Sequence, residues 1–170
     1  MLFDEVAEAM RGMVPDEFGT LRHRARRYGI KVWFGTNDAP REHYEAQVIA
    51  PTHVDGATIL AIEIGFHAEH PDVIANDAVI ARIAKAERSW RNLLGDDTEI
   101  APFLGRPSDW RRVSETWSDP DLSDPDLGLE IASRLTDYLI ALEPPRRDEK
   151  KARKHMVRCV PTALGGHTAP

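Results

Sequence analysis

Five short stretches of the chain carry the β-branched, aromatic and alternating apolar residues that are typical of strands. They cover residues 30–35, 43–51, 57–67, 99–105 and 109–117. In the second and third stretches apolar and polar side chains alternate, which predicts one buried face and one polar face. Pro102 lies in the fourth stretch and has no N–H to donate, so that strand is expected at a sheet edge or irregular.

Four other stretches carry apolar residues at the spacing of an amphipathic helix. They cover residues 2–13, 16–29, 71–94 and 124–142. The second of these would turn its apolar residues inward and its basic residues to solvent, with Gly29 as its C-terminal stop. Pro71 suits the first turn of the third helix, and Asp124 suits the N-cap of the fourth.

The resulting order is α-α-β-β-β-α-β-β-α, which predicts a two-layer α+β domain. Its mainly antiparallel sheet would have about five strands, with the helices packed on one face. Residues 1–143 form this single domain, and Glu143-Pro144-Pro145 is expected to end the last helix. Residues 144–170 begin with a charge run and are expected to be a disordered tail, which includes Cys159.

The joint between the second and third strands, around Val54-Asp55-Gly56, decides which side chains lie opposite one another. A two-residue turn would mix polar and apolar residues on both faces, whereas a three-residue loop with Gly56 in the left-handed conformation separates them. The second register is therefore expected, because a one-residue slip exposes a whole apolar face. It pairs Tyr44 with Phe66, Ala46 with Ile64 and Val48 with Ile62.

The same register gathers imidazoles and carboxylates on the polar face of the hairpin. His43 would lie directly opposite His67, with Glu45 and Glu63 adjacent to them. Two imidazoles and two carboxylates are enough to bind zinc, manganese or iron, so His43, Glu45, Glu63 and His67 are candidate ligands of a divalent metal. His67 and Glu63 are also candidates for a catalytic acid–base pair.

The alternative for this cluster is an ordinary solvated sheet face, on which cross-strand pairs of Glu and His are common. In that case no cofactor is expected. Gly65 favours a site, because a strand glycine often marks the close approach of a ligand or of another backbone. Glu69 and His70 lie just past the strand end and could join the cluster from a loop.

Basic residues are concentrated in two places that could contact phosphate or an acidic partner. The first is the predicted second helix, with Arg22, Arg24, Arg26 and Arg27. The second is Trp110 followed by Arg111, an aromatic and a cation that could stack on a base. The alternatives are a solvated helix face for the arginines and a place at the rim of the core for Trp110.

Composition narrows the classes of function. The chain has 170 residues with a net charge of −6, which argues against general nucleic-acid binding. Its single cysteine excludes an internal disulfide and a cysteine-rich zinc site within the chain. The first residues are acidic where a signal peptide is basic, and no window approaches the roughly 20 apolar residues of a membrane span. A cytoplasmic protein without membrane contact is therefore expected.

Three hypotheses of function follow. The first is a regulatory or protein-interaction module without catalytic activity, which would bind a protein partner or form a homodimer, because the sequence has no P-loop and no Gly-x-Ser-x-Gly motif. The second is a metal-dependent or acid–base enzyme that uses the His/Glu cluster. The third is weak nucleic-acid binding through the basic second helix, which the net charge makes the least favoured.

Overall fold

A computed structural model describes residues 1–37 and 40–147 of the chain, and within them it has the predicted α+β fold. The helices are α1 (Leu2–Met10), α2 (Val73–Ala84), α3 (Glu87–Leu94) and α4 (Leu127–Arg147). The strands are β1 (Leu21–Arg26), β2 (Gly29–Phe34), β3 (Glu42–Ile49), β4 (Ala61–Ala68), β5 (Glu99–Phe103) and β6 (Arg106–Ser118). Two single turns of 3-10 helix, Asp16–Phe18 and Pro51–His53, lie in the connections.

The strands form one antiparallel sheet in the order β1-β2-β3-β4-β6-β5. One face packs on the helices, and the core between them contains Tyr44, Phe66 and Tyr138 among its largest fully buried side chains. The other face carries the polar residues that alternate with this core set along the same strands. Strand β5, which contains Pro102, lies at a sheet edge as predicted.

The predicted register of the central hairpin is confirmed. Tyr44 lies opposite Phe66 and His43 opposite His67, as the separation of polar from apolar side chains requires. The connection is longer than three residues, since β3 ends at Ile49 and β4 begins at Ala61. Gly56 has a φ of 86°, which is the left-handed conformation expected of it.

The second predicted helix is wrong, because residues 21–26 form strand β1 and pair with β2. Arginine and alanine favour helices locally, and pairing with a neighbouring strand overrides that preference. The strand places Leu21 and Ala25 against the core. The alternate residues Arg22, Arg24 and Arg26 therefore share the polar face of the sheet rather than the outside of a helix.

The third predicted helix is divided into α2 and α3 at Lys85 and Ala86. The indole N–H of Trp90 donates to the carbonyl of Ile83 at 3.0 Å, which binds the end of α2 to the middle of α3. Helix α2 begins after Asp72, whose carboxylate caps it by accepting from the N–H of Ile74.

The last helix continues through Pro144 and Pro145 to Arg147, so the expected end at Glu143 is wrong. Buried Glu143 explains the extra turn, because its carboxylate accepts hydrogen bonds from Arg146 and Arg147 and from the hydroxyl of Tyr44. Residues 148–170 of the expected tail, with Cys159, lie outside the described residues.

Among the residues that the structure describes, no helix combines the length and the apolar character needed to cross a membrane.

Candidate metal and acid–base centre

The His/Glu cluster lies on the polar face of the sheet, where β3 pairs with β4. This part of the face is not solvated. His43 and His67 are 1% and 0% exposed, and Glu45 and Glu63 are 7% and 0% exposed. The ring of Phe103 from β5 packs against His67 with 4.8 Å between the ring centroids. A carboxylate is rarely buried unless it is paired, so this burial sets the cluster apart from a polar strand surface.

Four side chains bring one potential ligand atom each to the same place. The ring nitrogens of His43 and His67 and carboxylate oxygens of Glu45 and Glu69 all lie within 4.8 Å of one another. We refer to these four residues as the quartet. Glu69 comes from the residue directly after β4, and the hydrogen bond from its N–H to the carbonyl of Arg41 holds it at 2.7 Å. His70 stays outside the quartet and contacts Glu42 at 3.1 Å.

One carboxylate oxygen of the quartet is in contact with three nitrogen atoms. Oε2 of Glu45 lies 3.0 Å from Nδ1 of His67, 3.2 Å from Nε2 of His43 and 3.3 Å from Nζ of Lys31. Lys31 lies on β2 directly opposite Glu45, and its ammonium also donates to Oε1 of Glu69 at 3.1 Å. A cationic group therefore already bridges the two carboxylates of the quartet. Sequence reasoning did not include Lys31, because it did not define how β2 pairs with β3.

The sequence grouped Glu63 with the candidate metal ligands, but in the structure it lies outside the quartet. Its Oε1 is 3.4 Å from Nε2 of His67, the ring nitrogen that does not face Glu45. Gln47 and Ser114 each donate a hydrogen bond of 2.8 Å to this carboxylate. Glu63 is thus held rigidly behind His67, at ion-pair distance from Nε2, which forms no hydrogen bond with the described residues. A carboxylate in this position can orient an imidazole without sharing its ligand.

The charges of the cluster shift the protonation of both imidazoles. Burial alone lowers the pKa of His67, but the carboxylates of Glu63 and Glu45 outweigh it and raise that pKa to about 9. Burial lowers the pKa of His43, and its hydrogen bond with Glu45 opposes this only in part. Burial raises the pKa of Glu63, but His67 outweighs it and lowers that pKa to about 2. At neutral pH His67 is therefore a cation between two carboxylates, and His43 is neutral.

Gly65 keeps the neighbouring strand close to the cluster. It lies opposite Glu45 on one side and Ser114 on the other. A Cβ at this position would lie 2.3 Å from the carbonyl oxygen of Val113 and 2.4 Å from Cβ of Ser114. The close approach of backbone that the glycine indicated is therefore present, and it lets Ser114 reach Glu63.

The basic residues that the sequence singled out lie on different faces of the sheet. Arg22, Arg24 and Arg26 share the polar face at the edge strand β1, and Arg27 follows in the turn to β2. Arg111 pairs with Asp77 of α2 at 2.7 Å and so lies on the helical side of the sheet.

Trp110 lies on the other side of the sheet from Arg111. It packs on Phe103 with 5.3 Å between the ring centroids, beneath the guanidinium of Arg106. Trp110 and Arg111 therefore do not form one stacking surface.

The quartet is chemically able to hold a divalent cation, and with Glu63 it can also move a proton through His67. Comparison of the chain with protein-family models, with curated proteins and with solved structures finds no match.

Proposed function

We propose that the protein binds a divalent cation, of the class of zinc, manganese or iron, at His43, Glu45, His67 and Glu69. The observation that carries the proposal is the convergence of four potential ligand atoms, from four side chains, within 4.8 Å of one another. Imidazole nitrogens mixed with carboxylate oxygens suit these metals, whereas calcium and magnesium prefer oxygen alone.

The position of Lys31 supports this proposal, because the carboxylates of the quartet already attract a cation. Its ammonium lies between Glu45 and Glu69, and its side chain is 35% exposed, which gives it a route outward. A divalent cation that enters would displace the ammonium toward solvent and would meet the same two carboxylates. Lys31 and the metal therefore compete for one position.

The two nitrogens of His67 would take different roles. Nδ1 would bind the metal and must lose its proton, while Nε2 keeps its proton and donates it toward Glu63. This arrangement of carboxylate, histidine and metal is the usual way in which proteins fix the orientation of a ligand imidazole. Metal binding is expected to release a proton, because His67 is charged in the metal-free protein.

When bound, a divalent cation would supply Lewis acidity to a group on the open side of the quartet. Glu45 and Glu69 line a cavity of about 630 Å³ on the polar face, so that side is accessible from outside. The catalytic alternative from the sequence, with His67 and Glu63 as an acid–base pair, uses the same residues and remains a prediction.

The test is the mass of the native protein purified without chelator, before and after EDTA, together with titration calorimetry of the stripped protein with zinc and manganese. One stoichiometric ion per chain is expected. Glu69→Gln keeps the size of the side chain. It should weaken the affinity for the metal by more than the roughly 10–100-fold that is typical when a residue that only orients a ligand is changed. His23→Gln, an exposed histidine on β1, is the matched control and should bind like the parent.

Circular dichroism of each variant separates a lost ligand from a lost fold. If the folded parent binds zinc and manganese no more tightly than Glu69→Gln does, the proposal is contradicted. The cluster would then be a buried network of salt bridges.

The interaction module expected from the sequence is a second proposal, supported by the edge position of β1. Arg24 and Arg26 of this strand are exposed, and an edge strand offers unpaired N–H and C=O groups to a partner strand. The same native mass spectra test it. A dimer that persists on dilution would support pairing of copies through β1, and a strict monomer would argue against a homodimer.

A further inference from the structure

A cavity of about 630 Å³ lies over the polar face of β1, β2 and β3, and it holds an unusual excess of positive charge. Five cationic side chains line it: Arg24, Arg26, Arg27, Lys31 and Arg41. Among the described residues two carboxylates line it, those of Glu45 and Glu69, and both belong to the quartet. The whole chain carries a net charge of −6, so this local excess is opposite in sign to that of the protein.

The carboxylates in the cavity have their own partners. The ammonium of Lys31 lies 3.3 Å from Glu45 and 3.1 Å from Glu69, and Nδ1 of His67 lies 3.0 Å from Glu45. Neither Arg26 nor Arg41 forms an ion pair with any residue in the ranges 1–37 and 40–147. The guanidinium of Arg27 stacks on the ring of Tyr28 at 5.0 Å, which leaves its N–H groups at the edge of the stack. As far as the described residues show, Arg26 and Arg41 are therefore available to a ligand that the protein does not itself supply.

We propose that this cavity binds a small molecule through a phosphate or carboxylate group held by Arg26 and Arg41. Guanidinium groups bind both oxyanions through paired N–H donors, which is why phosphate and carboxylate share this chemistry. The volume suits a compact metabolite rather than an ion alone, since ligand cavities of about 300–1,000 Å³ enclose most of a drug-sized molecule. The rest of such a ligand would extend toward Glu45 and Glu69.

A small molecule is favoured over a nucleic acid by the shape and the charge of the surface. The arginines surround one concave space instead of forming a stripe along which a phosphate backbone could run. Beyond the cavity the acidic balance of the chain would repel a long polyanion. The proposal does not depend on metal binding, because the arginines and the cavity are present in the metal-free protein.

The experiment is titration calorimetry of the full chain, stripped of metal with EDTA and then dialysed free of EDTA, with inorganic phosphate, with citrate and with a single-stranded oligonucleotide. Saturable binding of phosphate or citrate is expected, and the one that binds more tightly identifies the class of the natural ligand. In the double variant Arg26→Gln/Arg41→Gln that affinity should fall at least about 100-fold, the loss expected for two charge-assisted contacts. Arg88→Gln changes an exposed residue of α3. This variant is the control and should bind the anions like the parent.

Two results would overturn the proposal. One is a folded parent that shows no saturable binding of either small anion, or that binds them equally well in the double variant. The other is an oligonucleotide that binds far more tightly than both anions and loses this affinity in the double variant, which would assign the surface to nucleic acid. Because the titration is done on metal-free protein, neither result bears on the metal proposal.

Discussion

The carboxylate of Glu63 lies 3.4 Å from Nε2 of His67, on the opposite side of the imidazole from its contact with Glu45. His67 is thereby held between two carboxylates, one within the quartet and one behind it. The first can share a metal with the ring, and the second can only orient the ring and accept its proton. This relationship separates the role of Glu63 from that of the three other residues that the sequence grouped with it.

Glu63→Gln tests that separation. The amide keeps the size of the side chain but removes the negative charge behind His67, so the pKa of His67 should fall from about 9 toward its ordinary value. Affinity for zinc should fall about 10–100-fold, without abolition of binding. The ring signals of His67 in a pH titration by NMR report the first effect, and calorimetry reports the second.

Glu130→Gln is the matched control for Glu63→Gln. Glu130 is exposed in the first turn of α4 and does not contact His67 within the described residues. This variant should leave both measurements unchanged. If Glu63→Gln instead abolishes metal binding in a folded protein, Glu63 is itself a ligand.

Lys31→Met tests the competition between the ammonium and the metal. Without the ammonium the carboxylates of Glu45 and Glu69 attract a divalent cation unopposed, so zinc affinity should rise at least about tenfold. The metal-free variant should lose about 1 kcal/mol of stability, because a partly exposed ion pair has been removed. Addition of zinc should stabilise the variant against thermal unfolding by more than this loss.

Lys85→Met changes an exposed lysine beyond the end of α2 and is the control for Lys31→Met. It should alter neither affinity nor stability. Equal zinc affinity in Lys31→Met and in the parent would mean that the ammonium and the metal do not share a position.

The stability of the metal-free protein should depend on pH through His67. Burial lowers its folded pKa, but Glu63 and Glu45 outweigh burial and raise that pKa to about 9; the cation Arg112 lies opposite His67 on β6. A raised folded pKa contributes stability that is complete below the unfolded value of about 6.5 and is lost as the pH rises through 9. Urea unfolding in EDTA at pH 6 and at pH 9.5 should therefore show a lower midpoint at the higher pH.

His67→Gln lacks the titrating group and is the reference for that measurement. Its midpoint should change less than that of the parent between the same two pH values. An identical fall in both proteins would assign the pH dependence to other groups.

Gly65→Ala should destabilise the fold by about 1–3 kcal/mol or more, because the added Cβ overlaps the backbone of β6 at 2.3 Å. Gly12→Ala is the control, since a Cβ there meets no atom closer than 3.9 Å. Chemical unfolding of both variants measures the difference. If the two are equally stable, β6 can move away from β4 without loss, and the close approach is not required.

The sequence predicted the hairpin register because polar and apolar residues alternate without ambiguity along β3 and β4. It did not predict Lys31, because the turn between β2 and β3 leaves open which residues of the two strands lie opposite each other. It did not predict the burial of His67 either, since Phe103 covers the ring from a strand far along the chain. Strand β1 was missed because its residues favour a helix locally, and only pairing with β2 makes it a strand.

All four residues of the quartet belong to one contiguous stretch, the β3–β4 hairpin and the residue that follows it. Contacts that are close in sequence can form early, before the more distant parts of a chain have been brought together. A metal ion could therefore bind to this hairpin during folding and hold its two strands in register before β6 arrives. The same continuity places all four ligand side chains on residues 42–69, so transfer of this hairpin to another sheet would need only a new cover for His67 in place of Phe103 and a new partner for Glu63 in place of Ser114, and Lys31 could be left out by choice.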